Sequence, residues 1–163
     1  MLQVISVLVE NEYGVLNKIT GLFSRRAYNI ESLAVGPTED PTVSRITVVV
    51  DSGNSVLEQV EKQLNKLVPV IKVRKLEIND LVGYELALIK VNASPRTRGE
   101  IKDVVEIMNA RMVDISSTTI TIQISDAPSK VDLMLDMLRP YGICEMARTG
   151  MAALQKGGSS ISV

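Results

Sequence analysis

The run Glu10-Asn11-Glu12-Tyr13-Gly14-Val15-Leu16 closes an apolar, β-branched stretch and opens one with helical periodicity. The first backbone N–H groups of a helix lack intrahelical acceptors and sit at its positive end, which suits a small carboxylate. Gly14 would let a ligand approach with no Cβ in the way, and Asn11 is an N-cap type of residue. Past the helix, Tyr28-Asn29-Ile30-Glu31-Ser32 puts a second amide where Asn is common because it tolerates the left-handed conformation. Asn11 and Asn29 can each offer an amide oxygen to an ammonium. Gly14, Val15 and Leu16 would seat the carboxylate, and Leu16 and Ile30 an apolar side chain. That is chemistry for holding a small amino acid, not for converting one. Taken singly, each segment is also an ordinary turn. The binding reading gains weight if two copies pair so that Asn29 of one faces the Asn11 turn of the other.

Other chemistries lack their residues. Histidine is absent and Cys144 is the single cysteine, which removes imidazole acid–base work, Cys-x-x-Cys motifs and an internal disulfide. Cys144 reads as a small buried strand residue rather than a nucleophile. Arg25 and Arg26 complement the negative end of the first helix. Gly36-Pro37-Thr38-Glu39-Asp40-Pro41 reads as a turn, since two adjacent carboxylates make a poor metal loop. The seven methionines read as core filler, and no metal ligand set is expected.

The elements that must carry these residues occur twice. Val4 to Val9 is a strand, and Val15, Ile19, Leu22 and Phe23 recur at helical spacing. Ile30 to Val35 and Arg45 to Val50 are strands. Ser55 and Glu58 form a capping box for a helix bearing Val56, Val60, Leu64 and Leu67. Pro69 stops it, and Val70 to Leu76 is a fourth strand. The series restarts with a strand at Leu86 to Val91, a capping box at Thr97 and Glu100, and a helix face of Ile101, Val104, Val105 and Met108. Strands follow at Met112 to Ser116 and Thr119 to Ser125, the latter alternating Ile120, Ile122 and Ile124 with polar residues. Val131, Met134, Leu135 and Leu138 mark the last helix, which Pro140 ends, and Ile143 to Thr149 the last strand.

The fold class expected is α+β, two tandem ferredoxin-like βαββαβ domains. The domains are 1–77 and 84–152, with a linker at 78–83 and a flexible tail at 153–163. Each sheet has one face without helices, so the units are expected to pair edge to edge or face to face as a homodimer.

Composition narrows the partners. Nine basic and nine acidic residues lie in the stretch through Glu77, with nine and ten after it, and aromatics are only 3%. No basic face or base-stacking platform results, so nucleic acid is not expected. No apolar run approaches the ~18 residues of a membrane span, and no leader is evident, so no membrane association is expected and the compartment is cytoplasmic.

These residues also carry a resemblance. The segment from Glu10 through Leu16, with Gly21-Leu22-Phe23-Ser24-Arg25-Arg26, Tyr28-Asn29-Ile30-Glu31-Ser32-Leu33 and Pro37-Thr38-Glu39-Asp40-Pro41, resembles the small regulatory subunits of acetolactate synthase (acetohydroxyacid synthase). The likeness continues at Glu85-Leu86-Ala87-Leu88-Ile89-Lys90-Val91 and Ala147-Arg148-Thr149-Gly150, while Gly83-Tyr84 departs from the basic residue common before Glu85. It implies an N-terminal ACT domain for effector binding and dimerisation, and an ACT-like second domain. It further implies activation of a large catalytic subunit, and feedback inhibition by valine (or leucine or isoleucine) bound between paired ACT domains. The effector contacts it implies are Asn11, Gly14, Val15 and Leu16 of one protomer with Asn29 and Ile30 of the other. No catalytic residue and no cofactor is expected on this chain; thiamine diphosphate, FAD and Mg²⁺ are expected on the catalytic subunit. Other readings are a stand-alone amino-acid-binding ACT regulator of another metabolic enzyme, an enzyme in its own right, and a nucleic-acid module.

Overall fold

The computed structural model describes residues 2–51 and 53–162, the side chains of 54–56 excepted. The chain divides into two compact units, Met1–Val82 with Gly150–Val163, and Gly83–Thr149. Each carries the βαββαβ order, so the α+β, ferredoxin-like expectation holds.

The first unit runs β1 (Leu2–Glu10), α1 (Val15–Arg25), β2 (Ile30–Pro37), β3 (Val43–Asp51), α2 (Asn54–Leu64) and β4 (Val70–Leu76). Its antiparallel sheet has the order β2-β3-β1-β4. Ile5, Val7 and Val9 of β1 and Ile46, Val48 and Val50 of β3 face the helices and bury against Val15, Ile19, Leu22 and Phe23 of α1. Phe23 is wholly buried, and its truncation to alanine would cost about 3–5 kcal/mol.

The end of α1 removes one role from Asn29. Ala27, not Asn29, takes the left-handed conformation (φ 54°). The N–H of Tyr28 reaches the Phe23 carbonyl and that of Ala27 the Ser24 carbonyl, the pairing of a Schellman end. The Phe23 and Tyr28 rings meet edge to face, their centroids 6.5 Å apart. Asn29 is therefore not a helix terminator. The second unit repeats the device with Asn109 in the left-handed position (φ 56°).

That unit runs β5 (Leu81–Asn92), α3 (Arg98–Ile107), β6 (Arg111–Ile115), β7 (Thr119–Asp126), α4 (Pro128–Leu138) and β8 (Ile143–Arg148). The strand order is β6-β7-β5-β8. Ile120, Ile122 and Ile124 bury against Ile101, Val105, Met134 and Leu138. Arg148 donates to Glu85 and Asp132, each at 2.6 Å, tying both ends of the unit to α4. Burial opposes the charge of Arg148, but the carboxylates of Asp132 and Glu85 outweigh it and raise its pKa.

Several sequence expectations need correction. The cap of α2 is Gly53, which has no side chain to cap with. Ser55 lies inside the first turn, and its side chain lies outside the described residues. Thr97 caps α3 without a side-chain bond, because its Oγ1 accepts from the Ser94 N–H at 2.9 Å. Glu100 instead accepts from Tyr141 at 3.0 Å. Cys144 is exposed, not buried, since β8 is an edge strand; its Sγ donates to Asn92 Oδ1. The linker at 78–83 is a 3₁₀ turn over Ile78–Asp80, after which β5 begins at Leu81.

The largest correction concerns the tail. From Gly150 onward the chain returns to the first unit. It forms β9 (Ala152–Gln155), and the Lys156 N–H donates to the Asp80 carbonyl. Met151 and Ala153 bury against Val4, Val49 and Leu76 on the sheet face opposite the helices. Ile161 buries against Leu8 and Val43. On the first unit, Val4, Leu8, Val43, Val49 and Leu76 thus find cover within their own chain, while Leu86 and Leu88 of the second unit stay exposed. Gly150 makes the approach possible: a Cβ there would overlap the Leu33 carbonyl.

Candidate functional site

The turn between β1 and α1 is built around Gly14, which caps the helix at φ 78° and ψ −3°. That left-handed geometry is cheap for glycine and strained for other residues. It swings the chain from strand to helix while directing the first amides outward. The N–H groups of Gly14, Val15, Leu16 and Asn17 meet no acceptor among the described residues, and the first intrahelical bond runs from Lys18 to the Gly14 carbonyl. A Cβ built on Gly14 would meet nothing within 4 Å, so the space before these donors is open.

Asn11 is not the cap. Its Nδ2 donates to the Pro41 carbonyl at 2.9 Å, and its N–H to the Thr42 carbonyl at 2.7 Å. Both bonds brace the turn against the β2–β3 loop. That loop is stiffened in turn by Asp40, whose carboxylate accepts from the hydroxyl and N–H of Thr42 at 2.7 and 2.8 Å. These bonds, the hydroxyl first, hold the Asp40 pKa below its ordinary value. Sequence reasoning saw the loop as a turn but not as the brace of Asn11. The Asn–Pro contact spans thirty residues, and no local pattern encodes it.

Asn29 is exposed, and its Nδ2 donates to Glu31 Oε1 at 2.5 Å. Neither Asn11 Oδ1 nor Asn29 Oδ1 accepts a bond among the described residues, so both retain acceptor capacity for an ammonium. Val15 is buried in the core and can offer only its N–H, whereas Leu16 is 41% exposed. Ile30 is half-buried at the start of β2. Tyr13, which sequence reasoning passed over, is fully exposed on the same turn.

The structure thus brings Asn11, Gly14, Val15 and Leu16 together and leaves Asn29 and Ile30 apart from them. The two groups flank opposite ends of α1, whose eleven residues span about 16 Å. A single copy cannot close one small pocket with both. A cleft of about 580 Å³ does open beside Asn11, but Glu10, Glu12 and Asp40 line it. Those carboxylates repel a carboxylate ligand, whereas the amide row on α1 presents only unpartnered donors.

Residues 5–72 match the model of the acetolactate synthase small subunit-like ACT domain (AHAS small subunit-like). Residues 84–157 match the model of the small subunit of acetolactate synthase. The chain is 47% identical over 157 residues to the acetolactate synthase small subunit of Mycolicibacterium smegmatis, covering 96% of this chain and 92% of that one. It is also 47% identical to the acetolactate synthase small subunit of Bacillus subtilis over 158 residues, with the same coverage. Among solved structures, the acetolactate synthase small subunit of Thermotoga maritima superposes with a TM-score of 0.91 at 37% identity, covering 98% of this chain and 99% of that one.

Proposed function

The chain belongs to the family of acetolactate synthase small subunits, and from that premise we propose that it activates a catalytic chain and lets valine switch that activation off. A small subunit of this kind is a regulatory partner to the catalytic enzyme, here the chain that carries thiamine diphosphate, FAD and Mg²⁺. Their shared compartment is the cytoplasm; among the described residues no helix is long and apolar enough to cross a membrane.

The observation that carries the valine reading is the row of unpartnered N–H groups from Gly14 to Asn17 at the positive end of α1. Each charge-assisted bond from such a group to a carboxylate contributes about 1.5–3 kcal/mol where water is excluded. Leu16, exposed beside the row, offers apolar contact to a branched side chain. The ammonium falls to the amide oxygens of Asn11 and Asn29.

Two copies supply both amides. Among the described residues β2 is an edge strand, paired only with β3, and Val35 upon it is 48% exposed. A two-fold axis that sets β2 antiparallel to its mate brings the start of one strand, Asn29 and Ile30, to the end of the other. At that end, by the loop from Thr38 to Thr42, lies the Asn11 turn. Valine would then bridge the two protomers, and its binding free energy would act on the interface. A coupling of about 1–3 kcal/mol changes the affinity for the catalytic chain several-fold to a hundredfold.

Titration calorimetry on the isolated chain tests the reading. Saturable binding of valine is expected, with alanine about tenfold weaker because two methyl-sized groups carry roughly 1.6 kcal/mol of burial. Absence of heat at millimolar valine would count against it.

A further inference from the structure

The sheet face of the first unit that lacks helices holds three cations around one apolar residue. Leu8 on β1 stands opposite Arg45 on β3 and Lys72 on β4, and Arg74 stands opposite the neighbouring Ser6. All lie on the face away from α1 and α2. Residues 159–162 cross this face without joining the sheet. Lys72 Nζ donates to the Ser162 carbonyl at 3.1 Å, and Arg74 Nη1 to Ser159 Oγ at 2.9 Å and the Ser160 carbonyl at 3.1 Å. Arg45 Nη1 donates to Ser6 Oγ at 2.9 Å, and its Nη2 reaches the Ile161 carbonyl at 3.5 Å. Ile161 is the one side chain of the segment that buries, against Leu8 and Val43.

Two features mark this segment as a weak occupant of a site built for a stronger one. First, it is lightly held. Ser159, Ser160 and Ser162 are exposed, and the preceding Gly157 and Gly158 are exposed as well, so one aliphatic plug and a few solvent-accessible bonds oppose the chain entropy of release. Second, residues 159–162 carry no charged side chain. Among the described residues, Arg45, Lys72 and Arg74 pair with no carboxylate and meet only neutral carbonyls and hydroxyls. Guanidinium and ammonium groups bind carboxylates more strongly than neutral oxygens.

We propose that this face is a peptide-binding site in which residues 159–162 hold the place of an acidic, extended segment of a partner protein, one aliphatic side chain seated between Leu8 and Val43. Recognition combines the register of the three cations with one apolar socket. It does not depend on amino-acid binding at the α1 turn.

Fluorescence anisotropy with two labelled hexapeptides tests it on the full chain: Gly-Glu-Asp-Ile-Glu-Val, and Gly-Ser-Ser-Ile-Ser-Val as the resident-like control. The acidic peptide is expected to bind saturably and about tenfold more tightly than the control. Its affinity should rise several-fold in Ile161→Ser, where the resident segment loses its plug. It should fall about tenfold in the Lys72→Gln, Arg74→Gln double variant, which changes one exposed and one half-buried side chain and whose folding is checked by thermal melting. Equal affinity for both peptides would assign the face to the 159–162 segment, its own or a second copy's, and overturn the proposal. So would absence of binding to the wild-type and Ile161→Ser chains, or binding that the double variant leaves intact.

Discussion

Ala27 holds the left-handed position at the end of α1 (φ 54°) that Asn109 holds after α3. An alanine there bears the Cβ–carbonyl crowding that glycine escapes, at about 1–2 kcal/mol. Its exposure means that no packing is lost on replacement. Ala27→Gly is therefore expected to stabilise the first unit by about 0.5–1 kcal/mol, after the added freedom of the unfolded chain is counted. Urea denaturation, read as a higher midpoint at constant slope, checks it. A lower midpoint would mean that the αL geometry is not what limits this helix end. Asn29, two residues on, is thereby released from any capping duty, and its side chain can serve a ligand.

The β1–α1 turn concentrates the functional claim in one glycine. Gly14→Asp places a residue that tolerates φ 78° only at a cost of about 1 kcal/mol, partly repaid by its carboxylate, which sits at a helix start and accepts from the amides there. The variant should fold, still activate the catalytic chain, and lose its response to valine, because the new carboxylate occupies the row that the ligand needs. An assay of the reconstituted enzyme with and without valine decides this; unchanged inhibition would dissociate the turn from the effector. How far such elements can be read from sequence depends on the range of their causes. The faces of α1, α3 and α4 were legible because Ile19, Ile101 and Met134 recur at the period of the helix and bury as that period demands. The capping boxes were not, because Thr97 spends its hydroxyl on Ser94 and α2 begins behind Gly53. The return segment was misread for its Gly-Gly-Ser-Ser composition. Met151, Ala153 and Ile161 give it purpose only once β1 and β3 present Val4, Leu8 and Val49 to receive them. The amide row and Gly14 were legible from one turn, while the bracing of Asn11 by Pro41 needed the folded sheet.

At the scale of the whole molecule, the proposed reading makes one copy half of a site. Asn11, Gly14, Val15 and Leu16 gather at one end of α1, and Asn29 and Ile30 stand at the other. Among the described residues β2 has an unpaired side, through which, on this reading, a second copy brings its own Asn29 across. A device of this kind makes effector occupancy and subunit pairing one equilibrium, so a catalytic partner that senses the paired surface senses valine as well. Feedback of this form needs no chemistry on the regulatory chain, in keeping with a site of amides and N–H groups. The decisive measurement is calorimetry of valine binding to mixed dimers, one protomer carrying Gly14→Asp and the other Asn29→Ala. Neither variant alone should bind, but the mixed dimer retains one seam where an intact Gly14 turn faces an intact Asn29, and valine should bind there at one site per dimer with near wild-type affinity. If the mixed dimer stays silent while the wild-type chain binds, the site is not shared between copies and the account fails.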